Sequence, residues 1–560
     1  MCTGRLHYWS LKGLSLVGLT LVVFALPYLM SGSPLALYVA WPDDRVQQAQ
    51  LVADYALDRP LPYQYGRWLW RIVTGEWGQS RFYPRLVASD VWAATGRTLV
   101  LLAWTASAFG LCLLGQWGWR QWRPQVKLSS GCLTLLTFLA ILPGFLVALV
   151  GRETLVWQLG WISMAHLPTF APMYLFNPLY MLLPAVVLAL TPSAVWLAAA
   201  SAAGTHQRFA LWFRPLLGHF LIQVFLTEQV LSMPGLGMVG LAAFKRRDIP
   251  LVQGFFLCAG ILYLVLQIVV DWQARRQHGN APQIALASNA MASPHSQHRL
   301  YSGLFWLAVL IALTIWAPQL SSHDPTDIHS SDQLLYPGYR YLLGTDFLGR
   351  DVLSRTLEGF RSSIPRAFLV MGCAGGLGGV LLGLRYLLPR GLHRGVGVGV
   401  AMLQALPLFL LTFVVFLIVE SHAWALEIAL VISCTPLAYQ LLTTPEPWRD
   451  RMLSLAQIGA HALLLTAVFR LLNIVSDSSI PTWGADIRFG MRYSQSNVWL
   501  LLAPSLALIW SYYGFYRLAH ALPTAEANQP DPDHGHDQTN HMRHPERAEV
   551  KIIRSEEGGK

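Results

Sequence analysis

Apolar runs long enough to cross a membrane recur along the whole chain, separated by polar stretches of two different lengths. About 20 apolar residues span the hydrocarbon core as a helix. On that criterion the pattern predicts twelve spans. Six lie at 11–30, 98–117, 130–150, 180–201, 214–231 and 252–271, and six more at 301–318, 364–388, 396–419, 425–442, 453–475 and 498–519. Between the two sets lies 273–299, rich in Ala, Ser, Gln and His with no long apolar run, which reads as a polar linker. Each set has the same rhythm: an opening helix, a long polar excursion (31–97, then 319–363), four helices, a shorter excursion and a last helix. The pattern predicts an all-α polytopic membrane protein of two six-helix bundles, 1–272 and 300–522. A polar tail, 523–560, is expected to be disordered.

Composition agrees. Of 560 residues, 54% are hydrophobic and only 12% charged, against about 25% charged in soluble domains. The formal charge of +10 comes from basic residues scattered over many short loops, a pattern that fits interfacial anchoring and not nucleic-acid binding. Five of the six cysteines (Cys112, Cys132, Cys258, Cys373, Cys434) fall in apolar runs, at spacings of neither a metal site nor a disulfide framework. The first run, 14–30, is longer than the 7–15 residues of a cleaved signal core, so an uncleaved span is expected. An even number of spans puts both termini on one side. Arg5, Lys12, Arg120, Arg123, Lys127, Arg390 and Arg394 favour the cytoplasm, while Lys245, Arg246 and Arg247 oppose that reading.

Several polar segments carry more information. "LGTDFLGRDVLSRTLEGFRSSI" (343–364), "AMLQALPLFLLTFVVFLIV" (401–419) and "IPTWGADI" (480–487) resemble, in order, one permease class of dipeptide/oligopeptide ABC importers. The first half resembles the partner class. It does so through "GEWGQSRFYPRLVASDVWAATGRTLVLL" (75–102), "LPGFLVAL" (142–149), "LGWISMAH" (159–166) and above all "TEQVLSMPGLGMVGLAAFKRRDIPLVQG" (227–254). The chain is similar to two usually separate permeases joined in one polypeptide, each a type I permease-like bundle. The resemblance implies a subunit of the inner membrane with cytoplasmic termini. Its implied partners are two ABC ATPase subunits that bring the ATP, and an extracytoplasmic substrate-binding protein. Dipeptides, oligopeptides, cationic peptides and nickel complexes are all substrates of the family, and no residue chooses among them.

The residues support such a role by their own chemistry. In "SMPGLG" (232–237), Pro234, Gly235 and Gly237 stop a helix and permit a re-entrant turn, tolerated at membrane depth only against protein or a water-filled cavity; an ordinary helix-ending turn is the plainer alternative. Asp346 and Asp351 are placed to cap a short helix starting near 351. Val352, Leu353, Leu357 and Phe360 would lie on one face of it, Arg355 and Glu358 on another. With Arg350 and Trp483 these residues are candidates for the outer mouth, the alternative being a helix resting on the bilayer. Glu228 and Arg470 are charges inside spans, which mark a pathway, a structural pair or snorkelling near a helix end. The histidines at 534, 536, 541 and 544 read as a solvated tail.

The chain departs from the family at one place in each half. Between its fourth and fifth helices the family carries an "EAA" coupling helix. Here that stretch is only "AAGTHQRFALWFR" (202–214) and "TTPEPWRDRM" (443–452). Trp212, Phe213, Arg214, Trp448, Arg449 and Arg451 are the candidate replacements for the ATPase-coupling surface, with interfacial anchoring as the alternative. The stretch 455–465 faintly resembles an EAA motif, but reading it so would remove a fifth helix.

No G-x-x-x-x-G-K-[ST] occurs, and no metal-ligand cluster or nucleophile–base motif lies inside a span. The expectation is a transport subunit and not an enzyme, with no cofactor of its own. An uncoupled permease-derived membrane scaffold is the alternative that the short loops motivate. A secondary transporter is disfavoured by the near absence of ionisable residues at mid-span.

Overall fold

The structure is a computed structural model. It describes residues 2–30, 33–39, 45–82, 85–122, 144–154, 160, 178–203, 213–278, 296–404, 406–420, 422, 424–444, 448–475, 480–494 and 496–519. The middle of the linker (279–295), the tail, Trp212, 155–159 and 161–177, and most of the predicted span 130–150 lie outside them, while the two ends of the linker, 273–278 and 296–299, continue the flanking helices. The described residues are built from helices. In the first half these are α1 (Cys2–Leu29), α2 (Pro34–Tyr38), α3 (Arg45–Tyr55), α4 (Leu61–Thr74), α5 (Val87–Trp122), α6 (Gly144–Gly151), α7 (Pro178–Ala203), α8 (Leu217–Val230), α9 (Leu236–Lys245) and α10 (Ile249–His278). The second half has α11 (Ser296–Leu320), α12 (Val352–Leu387), α13 (Arg390–Leu403), α14 (Leu408–Val419), α15 (Ala425–Leu442), α16 (Trp448–Ser454), α17 (Ala456–Leu471), α18 (Trp483–Tyr493) and α19 (Trp499–Ala519). Among the described residues, eight helices are long and apolar enough to cross a membrane, or nine if one bent pair is a single span.

Three elements differ from the sequence pattern. The predicted span 396–419 is broken: α13 and α14 meet at 97°. Pro407 caps α14, and a proline both lacks an N–H donor and disfavours helix in the residue before it. The predicted short helix at 351 and the span 364–388 are one 36-residue helix, α12, with Pro365 inside it. Its counterpart α5 is also 36 residues long. At 1.5 Å per residue each is about 54 Å long, well beyond a hydrocarbon core of about 30 Å, so the polar first turns belong to the same rod as the span. The predicted span 214–231 is a 3₁₀ turn (Arg214–Leu216) followed by the 14-residue α8, about 21 Å long.

The repeated rhythm has repeated local causes. A small hairpin precedes the second helix of each half, pairing Gln79 with Leu86 and Thr345 with Asp351. Each hairpin opens at a glycine with positive φ (Gly78, +86°; Gly344, +76°), a region open to glycine without steric cost. The helices α8 and α17 are each followed by a left-handed residue, Ser232 and Asn473, as helix C-termini commonly are. A Pro-x-x-Gly turn then folds back on the helix. At Gly237 an added Cβ would stand 2.6 Å from Phe225 Cα, and at Gly484 it would stand 2.1 Å from Ala467 O. Only glycine lets the backbones approach so closely. Phe225 and Ala467 lie 242 positions apart, as do His219 and His461, and Glu228 and Arg470.

The halves are packed together. The first helix α1 lies on α13 and α14 of the second half, and α8 lies on α14. Loop 321–351 marks one end of the molecule, the long-loop end; the end of α10 and the start of α11 mark the linker end.

Candidate functional site

Glu228 organises the turn of the first half. It is only 1% exposed, on the last turn of α8. Its carboxylate accepts the Thr98 hydroxyl of α5 at 2.5 Å and the Gly237 N–H at 2.7 Å. Thr98 Oγ1 in turn accepts the Leu236 N–H at 2.9 Å, and Arg97 Nη1 donates to Pro234 O at 3.0 Å. A Cβ at Gly235 would fall 2.1 Å from Glu228 Oε1, so this glycine makes room for the carboxylate. Glu228, Pro234, Gly235 and Gly237 therefore form one buried assembly that holds the turn against α5 and α8. Glu228 is a structural partner of the turn, and Arg470, 4% exposed, lies within the bundle and does not snorkel.

The second-half candidates also cluster, with two corrections to the sequence reading. Asp351 caps α12, accepting Ser354 N–H at 3.0 Å. Asp346 does not cap the helix. It closes its own loop by accepting the N–H groups of Leu348 and Arg350 (2.8 and 2.9 Å), and it pairs with the Arg350 guanidinium at 2.7 Å. Arg355, placed by helical spacing on the polar face, is buried instead. It grips Asp486 of α18 through Nε and Nη2 (3.0 and 2.5 Å) and donates to Pro325 O at 3.1 Å. Trp483 fills the space that Gly359 leaves open and donates from Nε1 to Thr356 O at 2.9 Å. In the loop outside, the Tyr341 hydroxyl donates to Asp332 at 2.8 Å and Arg340 stands 3.2 Å away. These two groups, the hydroxyl first, hold the Asp332 carboxyl below its ordinary value.

A seam runs between these clusters, where the halves meet. Toward the long-loop end it is aromatic. Phe244 of α9 meets Phe413 of α14 edge-on at 4.5 Å, and Phe413 meets Phe469 of α17 at 4.8 Å. All three rings are buried. The ion pair Arg247–Glu420 (2.7 Å) also crosses the seam, as does Arg152, donating to Val230 O and to Met491 O. Toward the linker end the seam becomes polar. His219 of α8 and His461 of α17 meet edge-on at 4.5 Å, and Tyr512 of α19 shares a hydrogen bond with His219 Nε2 at 3.1 Å. Both histidines and Gln457 are only half-buried, whereas most of their helix neighbours are buried. Eight residues separate His461 from Phe469, about 12 Å along the helix.

The coupling candidates lie near the linker end. Phe213 is buried against Phe220 (5.6 Å), and Arg214 pairs with Asp271 at 3.2 Å. The loop between α15 and α17 contains α16, a helix of seven residues and about 10 Å. It opens at Trp448, which is 72% exposed, and includes Arg449; Arg451 ties back to Leu442 O at 2.9 Å. The residues the sequence reading missed are Thr98, Asp486, His219, His461 and the seam phenylalanines. Asp486 sits inside the conspicuous "IPTWGADI" stretch, and the two histidines recur at the same spacing from Glu228 and Arg470, so a signal existed for both.

No family model matches the chain. Its relatives include the dipeptide transport system permease protein DppC of Haemophilus influenzae, 26% identical over 269 residues, which are 40% of this chain and 88% of that protein. The oligopeptide transport system permease protein AppB of Bacillus subtilis is 23% identical over 293 residues, 46% of this chain and 92% of that protein. The glutathione transport system permease protein GsiC of Pectobacterium atrosepticum is 23% identical over 309 residues, 48% of this chain and 95% of that protein. The chain is thus related to the permease proteins of peptide transport systems, and less than half of it suffices to span most of one such relative.

Proposed function

We propose that this chain is the membrane permease of an ABC importer for peptides or related small solutes, with both permease classes joined in one polypeptide. The seam between the halves is the transport path. The observation that carries this reading is the repeated architecture: two halves with the same hairpin, the same long second helix and the same glycine-seated turn, packed together where α1 and α8 of the first half lie on α13 and α14 of the second. Relatives that each fit into less than half of the chain support it. In this reading the chain lies in the inner membrane with cytoplasmic termini, and the long-loop end faces outward to receive substrate from a binding protein.

The work of moving substrate would come from two ATPase subunits at the linker end. Their coupling surface is the region of Phe213, Arg214, Trp448, Arg449 and Arg451; Trp212, also a candidate, precedes Phe213 in the sequence. A helix as short as α16 offers about two turns, so the surface is smaller than the family pattern implies and its exposed tryptophan takes a central part. The chain itself carries out no bond chemistry in this scheme.

Purification of the tagged protein in mild detergent from its own membranes, followed by mass spectrometry, tests the reading. Two ATPase subunits in near-stoichiometric amount are expected, and Trp448→Ala should deplete them. Reproducible absence of any ATPase from intact, folded protein would sink the importer and leave an uncoupled scaffold.

A further inference from the structure

We propose that Phe244, Phe413 and Phe469 are the gate that shuts the path at the long-loop end. This rests on the seam being the path, and it identifies the residues that close it. The three rings come from both halves and from three separate helices; Phe244 meets Phe413 edge-on at 4.5 Å, and Phe413 meets Phe469 at a tilt at 4.8 Å. Phe409 and Phe416 flank Phe469 at 6.0 and 5.6 Å, and Phe416 reaches Phe244 at 6.1 Å. Every ring in this group is buried. Such a plug presents apolar surface on both sides and no hydrogen-bonding group, so water and ions have nothing to bind as they approach.

The contrast below the plug gives it a direction. One seam, followed about 12 Å along α17, passes from fully buried rings to the half-buried His461 and Gln457, facing His219. The seam is therefore sealed toward the long loop and less tightly closed toward the linker. Above the plug, Arg247 is 61% exposed where it pairs with Glu420. An ion pair so exposed is a weak clasp, one that separates without a large penalty.

The mounting of the rings suits movement. Phe244 sits near the end of the ten-residue α9, between the glycine turn and a left-handed residue, Arg247. Phe413 sits on the twelve-residue α14, beyond the 97° break at Pro407. Both rings ride on short helices with hinges next to them, and neither is carried by a long span. The rings can part by tilting α9 and α14 while α5 and α12 stay in place.

The test uses the full chain in right-side-out spheroplasts, with the six native cysteines replaced and Gln457→Cys as reporter below the plug. A membrane-impermeant sulfonated maleimide is added outside. The reporter thiol should label slowly with the plug intact and at least tenfold faster in Phe244→Ala/Phe413→Ala; Phe413→Leu, which restores bulk, should stay slow. Equal labelling in the plugged and the double-alanine proteins, both monodisperse on size exclusion, would overturn the gate. If the double variant does not fold, Phe244→Ala alone removes one ring of the closest pair and is read in the same way. This readout needs neither substrate nor ATPase. Absence of partner subunits would count against the importer alone, and unchanged labelling with the subunits present would count against the gate alone.

Discussion

Gly484→Ala isolates the fold-back of the second turn on its helix. The added methyl would stand 2.1 Å from Ala467 O and 2.8 Å from both Ala467 C and Cα. Restoring an ordinary contact of about 3.4 Å requires the turn to retreat by roughly 1.3 Å, and the obstacle is backbone of a helix buried along almost its whole length, not the free end of a side chain. Overpacking costs about 1–3 kcal/mol, and the rigid obstacle puts this case at the upper end. The matched control is Gly96→Ala on α5, exposed and with nothing within 4 Å of the new methyl, which should stabilise by about 0.5–1 kcal/mol. The two variants should therefore differ by about 2–4 kcal/mol. At about 2–4 °C per kcal/mol for units of 150–250 residues, that is a gap of roughly 4–16 °C in the apparent melting midpoint. Fluorescence-detected size exclusion after heating in detergent, at one heating schedule, reads it directly. If Gly484→Ala melts together with Gly96→Ala, the turn does not seat on α17 as described and the repeat argument loses its central observation.

Glu228→Leu leaves the Gly237 N–H without its acceptor in a buried site, at about 1–3 kcal/mol for the orphaned donor. Glu228→Gln keeps one acceptor oxygen and should melt between Leu and wild type, and reversal of that order would refute the carboxylate's role. Arg355→Leu or Asp486→Leu alone should cost about 3–5 kcal/mol because the partner charge stays buried. The double Leu variant should recover much of the loss, and a strictly additive double mutant would show that the pair is not coupled. Asp332 has a depressed carboxyl pKa. Its contribution to the loop is therefore present above the ordinary carboxylate range and lost as pH falls through the lower folded value. Protease cleavage within 333–342 should rise at that acidification in wild type, and Tyr341→Phe should shift the rise to higher pH.

Much of the architecture was readable because membrane helices declare themselves by length and apolarity, and turns by Pro and Gly. The Asp351 cap and the "SMPGLG" turn were visible for that reason. What escaped the sequence depended on distant partners. Helical spacing assigned Arg355 to a polar face, since nothing nearby shows that Asp486, 131 residues later, would draw it inward. The unity of α12 was hidden because one rod changes from polar to apolar where it enters the hydrocarbon. The break in 396–419 was signalled by Pro407, but the apolar residues on either side of it outweighed that signal. Thr98 reads as an incidental hydroxyl in an apolar span, and its function appears only when the Leu236 N–H and Glu228 are brought to it.

The packing of α1 on α13 has a consequence for biosynthesis. A Cβ at Gly18 would stand 3.4 Å from Met402 Cβ, so this contact joins positions 384 residues apart (402 − 18). At about 5–20 residues per second, the ribosome needs roughly 20–80 s to deliver the second surface after the first. Throughout that interval α1 sits in the bilayer with its docking face turned to lipid, or is held by the insertion machinery. The first half therefore completes its packing only after the second has entered the membrane.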